Sequence, residues 1–307
     1  MPQESAAARP NIIFIVADDL GSADLGCCGG GNVSPVLDRL AREGLLFARA
    51  YSNSPVCSPA RFAMTTGRWQ YRLPAAADEP LSTRRSTILG LPPEHPTLPS
   101  LLRAGGYATA LIGKWHLGQL PKFGPLLSGY DEFFGPMGGG VDYFSHVNFS
   151  GERDLWEGAE ESHAHGYLTD LIAQRAAEYV ARPRDAPFFL SVHFTAPHWP
   201  WETRDDAEES QRVGSNIAHL DGGSVATYLK MISTWMRGSA ELWTPCRRHN
   251  ATTRWSCSSA TMAGNGFPTT GRSSAARWIC SKAAFVFRRS RGGQPGSRRD
   301  RDRRFRR

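Results

Sequence analysis

The sequence predicts an α/β protein, a mostly parallel β-sheet sandwiched by helices. Three observations carry this. Short apolar runs at residues 11–17, 107–112 and 187–194 are rich in β-branched or aromatic residues, as strands buried on both faces are. Segments with helical spacing lie between them, and strands alternating with helices make parallel sheets. The chain of 307 residues, 40% hydrophobic and 21% charged, is long enough for a large core. That composition excludes collagen, coiled coil and wholesale disorder.

The elements follow in order. NIIFIVA at 11–17 reads as the first strand. Ser34 then Pro35 reads as an N-cap and first helical position, with Val36, Leu37 and Leu40 on one face and Gly44 as the stop. Residues 70–95 are rich in Pro and Arg and read as an irregular surface excursion. A helix over 97–105 carries Leu98, Leu101 and Leu102 and ends at Gly-Gly. YATALI at 107–112 is the next strand. Residues 167–182 place Leu168, Leu171, Ile172, Ala176 and Tyr179 at helical spacing, and PFFLSVHF at 187–194 is the third strand. No internal repeat and no run of eighteen apolar residues is present, so no membrane span is expected. MPQESAAARP has no basic segment followed by an apolar one; no secretory signal is expected, and the cytoplasm is the default location.

In open parallel sheets ligands gather beyond the carboxyl ends of the strands. Titratable groups fall there three times: Asp18-Asp19 after the first strand, Lys114-Trp115-His116 after the second, and His198 after the third. Each has an ordinary reading. An Asp pair after a strand is most often a turn or helix cap. Lys114 and His116 fit a solvated loop edge, and His198, near Pro197 and Pro200, fits a capped turn. Cys57 fits a small buried hydrophobe. Adjacent carboxylates repel, however, and a hard divalent cation is the usual reason to hold them together. The order and co-occurrence of these groups carry more than any one of them.

Val56-Cys57-Ser58-Pro59-Ala60-Arg61 fits C-x-P-x-R and is followed by Met64-Thr65-Thr66-Gly67-Arg68. With PNIIFIVADDLG before it and GYATALIGKWHLG after it, this stretch resembles the type I, formylglycine-dependent sulfatases of the alkaline phosphatase superfamily, from Pro10 to about Ile232. The resemblance implies that Cys57 is oxidised to formylglycine by a formylglycine-generating enzyme. It implies Asp18, Asp19 and the modified Cys57 as ligands of Ca²⁺, with Mg²⁺ equally able to take oxygen ligands. Arg61 would orient the aldehyde hydrate, Lys114 and His116 would bind the sulfate oxygens and the hydrate, and His198 would face the sulfate and the leaving oxygen. The implied activity is hydrolysis of a small-molecule or carbohydrate sulfate ester. A cation with Lys and Arg neutralises the anionic ester, one hydrate hydroxyl attacks sulfur and the second expels sulfate. An unmodified thiol has no second hydroxyl and should not turn over. Cys27 and Cys28, adjacent and without a C-x-x-C partner, read as small loop or buried residues. Asn148-Phe149-Ser150 is a glycosylation sequon, and His146, His163 and His165 read as surface or supporting residues rather than ligands.

The last 75 residues are a different polymer. Residues 1–232 hold 19 Lys and Arg against 26 Asp and Glu; residues 233–307 hold 17 against 3, so the net charge of +7 averages two unlike parts. The tail has one Leu, one Ile and one Val, too few for a core, and is expected to be disordered. The resemblance calls for a helix opening with Met-Asp-Glu-Gly, a strand ending in the Asp-Asn-Gly that completes the metal site, and a Lys shortly before Glu-Gly-Gly. None is present. Shifting the reading frame changes this. Joining the last base of each codon to the first two of the next, Met262-Ala263 forces Gly, and Trp278-Ile279 forces Asp. With permitted codons, residues 260–287 re-read as DNGGERVSDNWPLVGGKMDLLEGGIRV, which contains both missing elements. The expectation is a frameshift near residues 232–234. Residues 1–232 would be the N-terminal part of a sulfatase catalytic domain and 233–307 an out-of-frame tail. The sheet would lose a strand after 232, leaving an open edge, poor solubility and weak turnover.

Other readings use the same residues. A phosphate or phosphonate ester hydrolase of the superfamily would use the same site. A non-catalytic remnant would keep affinity for sulfated ligands through Lys114 and His116. The Arg-rich end, 288–307, would bind polyanions through counterion release, but such charge runs are usually solvated and non-specific, so no specific nucleic acid is expected.

Overall fold

A computed structural model describes residues 9–31, 33–47, 49–73, 80–82, 86–213, 223–248, 254–260, 282–283 and 285–288. The three apolar runs are strands at the middle of one nine-stranded sheet: β1 (Ile12–Asp18), β4 (Ala108–Gly113) and β8 (Phe188–Phe194). β8 lies between the other two, parallel to both, with Ile15 opposite Val192 and Leu111 opposite Ser191. All seven β8 residues are buried, as a strand covered on both faces must be. β5 (Glu132–Gly135) extends the parallel set beyond β4, and the short β6 (Trp156–Glu157) and β7 (Glu160–Glu161) finish that edge antiparallel.

The other edge corrects an expectation. β1 is not left open: β9 (Arg254–Ala260) runs parallel beside it, from Ile12 opposite Arg254 to Asp18 opposite Ala260. β11 (Phe285–Arg288) pairs antiparallel with β9 and with β2 (Gly44–Leu46), while β10 (Lys282–Ala283) pairs with β3 (Ala50–Tyr51). A tail poor in aliphatics still reaches the sheet because strand pairing is made by backbone groups. The rest of the tail lies outside the described residues.

The helices match their sequence signals. α1 (Pro35–Glu43) stops at Gly44 and buries Leu37 and Leu40. Ser34 does not cap its own helix; its hydroxyl donates to Asp38 and accepts from the Gly26 amide, tying the preceding loop down. α2 (Cys57–Thr66) is buried along most of its length and ends at Gly67 in the left-handed region, φ 66°. α3 (Leu98–Ala104) begins with a reciprocal Thr97–Ser100 cap. α4 (Leu168–Ala181) packs Leu168, Ile172, Ala176 and Tyr179 on one face of the sheet with α1 and α6 (Val225–Arg248). α5 (Ala207–Val213) lies between α4 and α6 in the chain. α6 passes through the suspected frame junction, yet Trp235 and Met236 are buried with Met231 and Ile232, and Trp235 meets Phe194 edge-on at 5.7 Å. The other face holds a second cluster of Phe62, Leu73, Leu81, Leu91, Trp115 and Phe189. Leu73, Leu81 and Leu91 belong to the Pro- and Arg-rich excursion, so part of it is packed interior rather than surface. Among the described residues no helix is long and apolar enough to cross a membrane.

Candidate active site

The carboxyl ends of β1, β4 and β8 face one place, and six of the seven residues singled out in the sequence come from those ends or from the start of α2. Asp18 closes β1 and is 1% exposed. Asp19 follows with φ 62°, a conformation that a non-glycine residue holds only where its surroundings enforce it. Gly113 ends β4 at φ 118°; a Cβ there would stand 1.9 Å from the His193 carbonyl oxygen. That bare approach lets the Lys114 amide bond the same carbonyl at 2.8 Å and turns Lys114, 0% exposed, over the end of β8. Its ammonium donates to the Asp18 carboxylate. His116, at φ 55°, is fixed through its backbone amide on Met137 O (3.0 Å) and its Nε2 against Leu81 O (2.9 Å). The solvated-edge reading of Lys114 and His116 is thereby excluded, since both are buried.

Arg61, one turn into α2, is also buried. Its Nη1 donates to Lys114 O at 2.8 Å and stands 3.0 Å from His193 Nδ1, while its Nη2 is 3.4 Å from Asp18 and has no hydrogen-bond partner. His198 sits in a turn between the cis peptides Ala196–Pro197 and Trp199–Pro200. Its Nδ1 donates to Trp199 O, which leaves Nε2 facing Asp19 at 3.8 Å. Tyr143 OH donates to the His198 carbonyl and holds the turn from behind.

Cys57 is the first residue of α2, where the helix amides favour a thiolate. Burial opposes ionisation, but Lys114 and the bonds from His116 and His198 outweigh it and hold the thiol well below its ordinary value. Burial also raises Asp18, yet Lys114 and Arg61 reverse this and keep it ionised. For Asp19 burial, with the neighbouring Asp18 and Cys57, outweighs the pull of His198 and Lys114 and pushes it up. Burial pulls His198 down, but Asp19 and Cys57 carry it up to about 9.

Asp18 and Asp19 are adjacent hard oxygen donors, the chemistry that a divalent cation takes. Among the described residues, however, no group of three or more His, Cys, Asp or Glu stands arranged to hold a metal. The expected trio Asp18, Asp19 and Cys57 is therefore a partial ligand set, meeting through Lys114 and His198 rather than as one cluster.

Sequence reasoning missed several supports. His193 on β8 braces Arg61, and burial with the Arg61 charge holds it down at about 3, hence neutral. A histidine within a mostly apolar strand was its one signal. Gly138, Gly139 and Gly140 form a floor of bare backbone: a Cβ on Gly139 would stand 2.6 Å from the His116 ring, and one on Gly140 would stand 3.1 Å from His198. Asp154 pins that floor by accepting from the Met137 and Gly138 amides at 2.9 and 2.8 Å. His146 is buried against Gly166 O, not on the surface, whereas His163 and His165 are exposed. Asn148 of the sequon is buried too, accepting from the Ser150 and Glu152 amides, and serves as a loop tie. Cys27 and Cys28 are free thiols in a loop turn.

N-acetylgalactosamine-6-sulfatase of Homo sapiens is 36% identical over 253 residues, covering 76% of this chain and 48% of that protein. N-acetylglucosamine-6-O-sulfatase of Bacteroides thetaiotaomicron is 33% identical over 205 residues, covering 65% and 33%. The chain spans about half the length of the first of these relatives and a third of the second. Among solved structures, Ps i-CgsB in complex with k-i-k-neocarrahexaose superposes with a TM-score of 0.69 at 29% identity, covering 92% of this chain and 66% of that one. A protein solved with its substrate D-glucosamine-2-N,6-O-disulfate superposes at 0.64 and 21% identity, over 92% and 71%. The sulfatase family profile matches residues 10–234, so the chain belongs to the sulfatase family.

Proposed function

We propose that the chain carries the nucleophile half of a sulfuric ester hydrolase acting on sulfated carbohydrates, with Cys57 converted to formylglycine. The observation that carries this is the placing of Cys57 at the start of the helix whose next turn brings Arg61 onto Lys114 O, at 2.8 Å, and within 3.4 Å of the Asp18 carboxylate that Lys114 bonds. Asp18 and Asp19 would hold a divalent cation, Ca²⁺ by the family pattern, which would supply positive charge to the sulfate oxygens. The hydrated aldehyde would supply the two hydroxyls that a thiol lacks. The chain's own residues do the rest. Lys114 and Arg61 present buried positive charge to the anionic ester, and the unfilled Arg61 Nη2 is a donor awaiting an oxygen. His116 holds the nucleophile in place. His198, with Nδ1 tied to Trp199 O, presents Nε2 as the proton carrier toward the leaving oxygen. The sugar substrate is proposed because the named relatives are N-acetylgalactosamine-6-sulfatase and N-acetylglucosamine-6-O-sulfatase.

The test is co-expression with a formylglycine-generating enzyme, mass spectrometry of the Cys57 peptide, and sulfate release from an aryl sulfate and a 6-sulfated N-acetylhexosamine with Ca²⁺. Conversion with release that Cys57→Ala abolishes supports the reading. Faster release from an aryl phosphate favours a phosphate ester hydrolase. Ligand binding without turnover favours a binding remnant.

We further infer that the coding frame shifts near residue 233. The sheet register supports this: β9 ends at Ala260, opposite Asp18, and the shifted frame begins Asp-Asn-Gly at that same place. Two further oxygen donors would then stand beside Asp18 and complete the partial set. Sequencing the gene across codons 225–310 decides it. One base missing or added near codon 233, with an open shifted frame beyond, is the expected result; an intact frame overturns it.

A further inference from the structure

Phe149 leaves 56% of its surface exposed, although burial of a phenyl ring is favourable. Its position is not accidental. Val141 bridges Asn148, and Val147 bridges Arg153, making a tight loop whose turn closes at Gly151, φ 80°. The buried Asn148 beside Phe149 accepts from the Ser150 and Glu152 amides at 2.8 and 3.3 Å, and its own amide bonds Glu152 O at 2.8 Å. An exposed apolar ring is thus carried on a fixed backbone. It is carried to the site: a Cβ on Gly140 would stand 2.9 Å from Phe149 Cε2 and 3.1 Å from His198 Cε1, so the two rings share the space that Gly140 leaves bare.

We propose that the exposed face of Phe149, which Gly140 lets pack beside His198, is the subsite that receives the ring of the leaving alcohol, a pyranose or an aryl group. This rests on the function proposed above, which places the leaving oxygen at His198. Binding sites for small molecules combine apolar walls with a few placed polar groups. Lys114, Arg61 and His198 are the polar groups for sulfate. Phe149 is the exposed apolar face beside them, and the C–H face of a pyranose or the face of an aryl ring is its natural counterpart. Any residue larger than glycine at 140 would push the Phe149 and His198 rings apart.

The test is calorimetry on the full chain, which needs no turnover, with two probes: inorganic sulfate and N-acetylgalactosamine 6-sulfate. Phe149→Ala should weaken the sugar sulfate by roughly three- to tenfold, the scale of one aromatic contact, and leave inorganic sulfate unchanged. Phe149→Trp should keep sugar affinity. Equal affinity of wild type and Phe149→Ala for the sugar, or an equal loss for both probes, overturns the subsite and leaves the proposed function standing. A wild-type chain that binds neither probe overturns the proposed function and the subsite with it.

Discussion

Lys114 and Asp18 lie 96 residues apart at the ends of strands that do not touch, and their side chains bond across the carboxyl end of β8, which separates them. The pair is fully buried, with Arg61 at 3.4 Å as the second cation. Lys114→Met leaves the buried Asp18 carboxylate with Arg61 alone, at 3.4 Å. The expected cost is about 3–5 kcal/mol in urea unfolding, as for other buried pairs broken on one side. Adding Asp18→Asn to that variant should recover part of the loss. A single variant as stable as wild type would show that the pair contributes nothing.

Cys57 and Cys27 should differ sharply toward alkylation. Lys114, His116 and His198 overcome burial and stabilise the Cys57 thiolate, whereas burial, with Cys28 and Asp38 nearby, pushes Cys27 up to about 12. At pH 6.5 iodoacetamide should label the unconverted Cys57 while Cys27 stays intact, read by peptide mass spectrometry. Labelling of Cys57 that begins only above pH 8.5 would contradict this.

Gly139→Ala should act on the site without touching its chemistry. The new methyl would stand 2.6 Å from His116 Cε1, and that ring is held by Leu81 O, so it must shift. A displacement of this order costs about 100-fold in kcat/KM. Activity within twofold of wild type would mean the ring has room.

His146 should make stability fall in weak acid. Burial, helped by Arg153, holds it down at about 4, while an unfolded chain's imidazole protonates near 6.5. Between those values the unfolded state binds more protons than the folded one, so stability drops as pH falls from about 6.5 toward 4. From pH 7 to 5 this amounts to about 2 kcal/mol. His146→Asn tolerates the backbone, φ 57°, and removes the titration. Urea midpoints at the two pH values should diverge less in the variant; parallel behaviour of both proteins would refute the assignment.

What the sequence made legible was the part written locally. The runs around Ile15, Leu111 and Val192 became neighbouring strands because continuous β-branched and aromatic stretches suit a sheet covered on both faces. Asp18, Lys114 and His198 followed because the ends of such strands converge. Gly138–Gly140, His193 and Phe149 were not legible, since a glycine's missing side chain matters only once His116 and His198 arrive from distant segments. Residues 254–260 were misjudged for a related reason. Aliphatic content measures core burial, whereas the place beside β1 was taken by backbone pairing.

The bond from Lys114 to Asp18 has a dynamic consequence. It straps β1 to β4 over the end of β8, and Arg61 adds α2 to the same strap. Fraying of any one strand end must break charges that belong to the others. Amide hydrogens near Asp18, Gly113 and His193 should therefore exchange as one cooperative unit, and the floor of the site should open all together or not at all.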